Sequence, residues 1–203
     1  MPFKLDSAAD DQLELTLKAA LDKNAISVNG KIGSLERLFD NDDYPVDVTA
    51  KFGAATATLK GMIKEPMQAK GLNLASSFKL AKLSELNSLT DGDLPATGPL
   101  SISASLTDTD GKYNLANLKL SLADTTVTGN LSADLRGKLP YIKANLQSAS
   151  INLVPFQPEA PAEEKVERYF TADALALDGL RSFNADVTLA VKKIQTRQAM
   201  LNN

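Results

Sequence analysis

Carboxylates, lysines and tyrosines are the side chains left for acid–base or ligand chemistry in this sequence, because its 203 residues include no histidine, no cysteine and no tryptophan. That excludes an imidazole base, a thiolate nucleophile, a Ser-His-Asp triad and the usual zinc, haem and iron–sulfur ligand sets. Two acidic groups are dense enough to consider for a cation: Asp40, Asp42 and Asp43, and Asp108 with Asp110 beside Gly111. Neither has the spacing or the closing Glu of an EF-hand loop, so both read as solvated turns. A glycosidase would need two converging carboxylates and, usually, aromatic platforms. The acids here sit mostly in turns, and only 5% of residues are aromatic. The expectation is a protein that is not an enzyme, with no catalytic residue, no metal and no cofactor.

What the sequence offers instead is aliphatic surface, and its spacing names the elements that carry it. Apolar and polar residues alternate along most of the chain, the period of a strand with one dry face and one wet face. The runs are Leu13, Leu15, Leu17, Ala19; Ile26, Val28, Ile32; Val46, Val48, Ala50, Phe52; Ala55, Ala57, Leu59; and Leu100, Ile102, Ala104, Leu106. They continue with Leu118, Leu120, Leu122; Val127, Leu131, Ala133, Leu135; Ile142, Ala144, Leu146, then Ile151 and Leu153; and Val187, Leu189, Val191. Turn residues separate them, as in Asp108-Thr109-Asp110-Gly111 and Arg136-Gly137-Lys138, which predicts short hairpins and an antiparallel meander.

Breaks in the rhythm predict two or three short helices. Leu35, Leu38 and Phe39 share a helical face with Ser34 placed to cap it, Leu80 to Leu89 repeats the pattern with Leu83 and Leu86, and Glu164 to Phe170 offers a third segment. Pro155 to Glu164 holds three prolines among acidic residues and reads as a linker or long loop. Three regions follow: a repetitive β region over 1–154, the linker over 155–164, and the truncated start of a further β repeat over 165–203.

The repetition has a marker, an apolar-x-Gly-x-apolar unit centred on Gly30, Gly61, Gly98 and Gly129. Gly30 to Gly98 and Gly61 to Gly129 are both 68 positions apart, so two copies of a unit of about that length account for the order. Repeated strand units too small to bury their own apolar faces point to an elongated stack, with the glycines as bulges or bends that curve the sheet. The alternative is a compact β-sandwich, which alternates in the same way. The expected fold is mainly β: an elongated, curved antiparallel sheet, groove-like, with short helices.

A net charge of −3 supplies no strong overall field to draw in nucleic acid or an anionic bilayer surface. No basic segment leads into an apolar run, and no stretch of about 18 apolar residues occurs, so neither a signal peptide nor a spanning helix is visible. The abrupt ends suggest an excised fragment. A transmembrane β-barrel is disfavoured, since it would call for aromatic girdles and strands without a proline-rich interruption.

Three stretches carry a family resemblance: Ile26 to Leu35 with Tyr44-Pro45-Val46-Asp47-Val48 and Ala57 to Ile63; Asp124 to Leu135; and Tyr169 to Leu180 with Asn184 to Val187. In their order they resemble the repeated middle and C-terminal region of AsmA-like proteins, the group of bacterial envelope proteins that includes AsmA and TamB. The resemblance implies a periplasmic segment of a protein tethered to the inner membrane through flanking regions. It implies a curved sheet whose apolar groove carries phospholipid acyl chains in outer-membrane biogenesis. The alternative it carries is a non-catalytic scaffold for assembling outer-membrane proteins, with other envelope proteins as partners. On the groove reading the lining candidates are Leu13, Leu15, Leu17, Ile26, Val28, Val46, Val48, Leu59 and Ile102, then Leu118, Leu120, Leu122, Val127, Leu131, Ile142, Leu146, Ile151 and Leu153.

Overall fold

The computed structural model describes residues 3–8, 11–21, 24–87, 94–157, 182–197 and 200–202. Ten strands follow one another as β1 (Phe3–Ala8), β2 (Gln12–Leu21), β3 (Asn24–Gly33), β4 (Tyr44–Phe52), β5 (Ala55–Glu65), β6 (Lys70–Leu80), β7 (Leu100–Thr109), β8 (Lys112–Leu122), β9 (Thr125–Asp134) and β10 (Tyr141–Ser148). Each pairs antiparallel with the next. After the two-residue β11 (Ile151–Asn152), β12 (Asn184–Val191) returns to pair with β10, in parallel. The result is one open, eleven-stranded sheet in the order β1 to β10 and then β12, about 50 Å across at the usual strand spacing. The protein is mainly β and mostly antiparallel; the parallel β10–β12 pair is a departure from the expected all-antiparallel meander.

A small second sheet joins β11, β13 (Lys193–Gln195) and β14 (Met200–Asn202). It prolongs the β10–β12 ladder beyond a bend. Tyr141 faces Asn184 in the large sheet and Ile151 faces Ile194 in the small one, the same offset of 43 positions. At the bend the Ser148 hydroxyl, almost fully buried, lies 2.7 Å from the Thr126 carbonyl and 2.9 Å from that of Ser150.

Turn chemistry sets the registers. Asp110 and Gly111 both take positive φ between Thr109 and Lys112, the two-residue geometry that matches strand twist. The bulge between Leu115 and Leu118 puts Asn117 at φ 54, with its N–H donating to the Asn130 side-chain oxygen at 3.1 Å. This extra residue keeps Tyr113 and Leu115 on the same face as Leu118, Leu120 and Leu122, where strict alternation would have thrown them to the other side.

Helix is scarcer than expected. The single α-helix among the described residues is Leu35–Asp40, and Ser34 caps it as the sequence predicts, accepting from the Arg37 N–H at 3.3 Å. Of the predicted helix Leu80 to Leu89, the described part, Leu80 to Asn87, forms no α-helix. Leu80 is drawn into β6 by its pairing with Leu100, and only Leu83–Leu86 turns, as a 3-10 turn. Further 3-10 turns occupy Pro66–Gln68 and Val154–Phe156. Glu164 to Phe170, and all but the first three residues of the predicted linker, lie outside the described residues.

Candidate functional site

Because partners across a ladder point to the same side, the registers can be followed from strand to strand. One row runs Leu17, Val28, Ala50, Ala57, Phe78, Ile102, Leu120, Val127, Ser148 and Val191, each opposite the next. A neighbouring row on that face includes Leu13, Ile32, Val46, Gly61, Leu74, Leu106, Leu115, Leu131, Ala144 and Val187. The row between positions of opposite parity reads Thr16, Asn29, Thr49, Thr58, Ser77, Ser103, Lys119, Thr128, Gln147 and Ala190. One face of the whole sheet is therefore aliphatic and the other hydroxyl-, amide- and charge-bearing.

The polar face is held by contacts among its own side chains. The hydroxyls of Thr58 and Ser77 lie 2.7 Å apart and those of Ser121 and Thr126 3.2 Å apart, while Lys60 donates to Asp47 at 2.6 Å. The exposed Lys60–Asp47 ion pair contributes little by itself. The consequence of these contacts is that this face is already satisfied by polar groups and water.

Sixteen of the eighteen lining candidates fall on the aliphatic face, from Leu13 on β2 to Leu146 on β10, and every one of the sixteen is half-buried rather than sealed. Ile151 and Leu153 do not join them: Ile151 belongs to the small sheet, and Leu153 stands exposed at the start of the Val154–Phe156 turn. Sequence reading missed β6 altogether. Leu72, Leu74, Phe78 and Leu80 alternate there, but Ser76 occupies the apolar register and Ser77 follows it, so the run looked broken. It also missed Tyr113 and Leu115, hidden by the bulge.

No second layer of strands or helix lies over the aliphatic face among the described residues; most of its side chains are half-buried, while Leu74, Leu80, Leu100, Ala104 and Ala144 are buried. Among the described residues no two-sheet sandwich, whose core side chains would be enclosed, is formed. Closure is local. At one end of the strands, Leu83 and Leu86 pack with Phe78, Ile102, Leu120 and Leu122 onto the buried Leu80, Leu100 and Ala55.

Two of the aspartates, Asp108 and Asp11, have structural tasks. Asp108 accepts from the Leu72 N–H, capping the ladder where β6 and β7 diverge. Asp11 accepts from Arg37 Nε at 2.9 Å, and that bond, with a second from Ser34, holds its carboxyl below the usual range. Arg37 also donates to the Asp43 carbonyl at 3.1 Å. Among the described residues no group of acids is arranged to hold a metal ion.

In the β9–β10 hairpin, the Arg136 guanidinium and backbone N–H bonded to Asp134 keep that carboxyl well below the ordinary carboxylate range. The sign follows: for a lowered acid the stabilisation is complete above the unfolded value of about 3.9 and is lost only as pH falls through the lower folded value. A carboxyl NMR titration should place the Asp134 midpoint below about 3.9 and move it part of the way back toward that value in Arg136→Ala, which removes the guanidinium but keeps the backbone N–H. An unshifted midpoint in the wild type would contradict the pair.

No protein-family model, curated protein or solved structure matches this chain.

Proposed function

We propose that the aliphatic face binds the hydrocarbon chains of phospholipids, in a periplasmic segment of an AsmA-like protein tethered to the bacterial inner membrane and serving outer-membrane biogenesis. The observation that carries this reading is the alignment of sixteen half-buried aliphatic candidates on one face, over which no second layer lies among the described residues. Leaving so much hydrocarbon half in water is unfavourable, and an acyl chain laid across it recovers about 0.8 kcal/mol per methylene removed from water. Leu, Ile, Val and Ala offer no shaped or polar contact, so recognition is by class: any acyl chain suits, and the headgroup remains outside.

Curvature into a groove is part of the proposal. Gly30, Gly61 and Gly129 all occupy aliphatic-face positions, where a missing side chain lets the sheet close toward that side. The β8 bulge adds twist at the same level of the sheet. In this reading the chain contributes binding and guidance only.

The alternative, a scaffold for assembling envelope proteins, draws on β12. That strand has one described partner, its Val187 and Leu189 are 58% and 47% exposed, and Asp186 is its single charge, so its edge is poorly defended against a further strand.

Organic extraction and mass spectrometry of the purified chain separate the readings. Phospholipid at about one or more molecules per chain is expected, with a photo-crosslinker at Val48 trapping lipid. Lipid-free protein whose Val48 crosslinker captures only polypeptide would overturn the lipid reading in favour of the scaffold.

A further inference from the structure

The two ends of the strands differ in kind. Where β6 ends and β7 begins, the aliphatic face is closed by Leu83 and Leu86 over Leu80 and Leu100. At the other end the connections turn large apolar side chains outward: Leu35 and Phe39 on the helix, Met67 after β5, and Leu135, Leu139 and Tyr141 in the β9–β10 hairpin, all between 43% and 71% exposed. The hairpin is the densest of these, with three such side chains and the cations Arg136 and Lys138 within residues 134–141.

Its exposure is held in place by bonding. The Leu135 N–H donates to the Gly111 carbonyl at 3.0 Å, and the Arg136 N–H and Nε donate to the Asp134 carboxylate at 3.1 and 2.8 Å. The Pro140 carbonyl accepts from the Asn184 N–H at 2.8 Å. The backbone on both sides of the tip is therefore tied, and the leucines point into solvent from a preorganised loop. Arg136 balances Asp134, which leaves Lys138 as net positive charge. Apolar side chains interleaved with cations, and a tyrosine with one wet end, match the boundary between phosphate headgroups and hydrocarbon. The helix is a poorer match, because Phe39 is followed by Asp40, Asp42 and Asp43, whose charge opposes an anionic surface.

We propose that the β9–β10 hairpin seats this end of the sheet on an anionic phospholipid bilayer, with Leu135, Leu139 and Tyr141 entering the interface and Lys138 meeting phosphate. Its consequence, that acyl chains pass between bilayer and sheet at this end, rests on the lipid-binding reading above; the docking itself does not.

Flotation of the full chain with vesicles tests it. With phosphatidylethanolamine–phosphatidylglycerol vesicles at low salt the chain should float, less so with phosphatidylcholine alone or at high salt. Leu135→Asp with Leu139→Asp should reduce the floated fraction about tenfold or more, and Lys138→Glu should reduce it on anionic vesicles only. Phe39→Asp should leave it unchanged. All these positions are exposed, so the urea midpoint of each variant should stay near that of the wild type.

A wild-type chain that floats with neither vesicle overturns the proposal, as does a double variant that floats equally well. Self-association through the hairpin, seen as lipid-free sedimentation that the double variant abolishes, would also overturn it by assigning the surface to a second copy. The two readings fail separately. Lipid extracted from a chain that does not float sinks the docking alone, and flotation of a chain that carries no lipid supports docking while sinking the acyl-chain reading.

Discussion

Gly129→Ala is expected to destabilise the chain by about 2–5 kcal/mol, enough to unfold many domains of this size, and Gly61→Ala by a similar amount. Both glycines lie on the aliphatic face at φ 157 and 150, conformations that L side chains rarely adopt. A Cβ built at Gly129 falls 2.0 Å from the Asn145 carbonyl oxygen, and one at Gly61 falls 2.0 Å from that of Asn73. Neither obstacle is a flexible side-chain tip; each is the backbone of the next strand, fixed by its own ladder. Strain at φ and overpacking therefore add. At Gly137 in the hairpin loop the nearest atom stands 3.2 Å away, and alanine there should cost less than about 1 kcal/mol. Urea denaturation measures all three; equal midpoints for Gly129→Ala and Gly137→Ala would mean that the strands do not approach as closely as described.

Placing a charge on the aliphatic face should have the largest effect on ligand content with little effect on folding. Val48 and Leu59 face each other across β4 and β5, both half-buried. Val48→Glu with Leu59→Glu puts two carboxylates where an acyl chain would lie, and extracted lipid per chain should fall about tenfold or more. On an unroofed face the carboxylates reach water, so stability should fall by about 2 kcal/mol or less for the pair; beneath a second layer each would cost several kcal/mol. Mass spectrometry of the extract and urea denaturation of the same preparation give the two readouts. Lipid content unchanged with the fold intact would refute hydrocarbon binding at this face, and cooperative loss of the fold would identify the face as an enclosed core.

The elements that local chemistry controls were legible in the sequence. Period-two alternation marked most of the strands, Ser34 marked the helix start, and Asp110-Gly111 marked a hairpin turn. What escaped were places where a neighbour far along the chain decides. Ser76 stands in an apolar register because Leu59 and Ala104 flank it across the sheet, and its hydroxyl reaches the Ala104 carbonyl at 3.1 Å. Leu80 extends a strand because Leu100 is opposite. Leu115 and Leu118 share a face because Asn117 bulges between them.

That each strand has an oily side and a wet side, and that imidazole and thiolate mechanisms are excluded, follows from the order and types of the residues alone. Alternation is a property of residues two apart, and absent residue types are absent from any fold. Strand pairing was needed to bring all the oily sides to one face, to join β12 to β10 in parallel, and to pack Leu83 and Leu86 at one end of that face while the hairpin at the other stays exposed. Those are matters of register and of where connections travel, which depend on hydrogen bonds between residues tens of positions apart and leave no periodic trace along the chain.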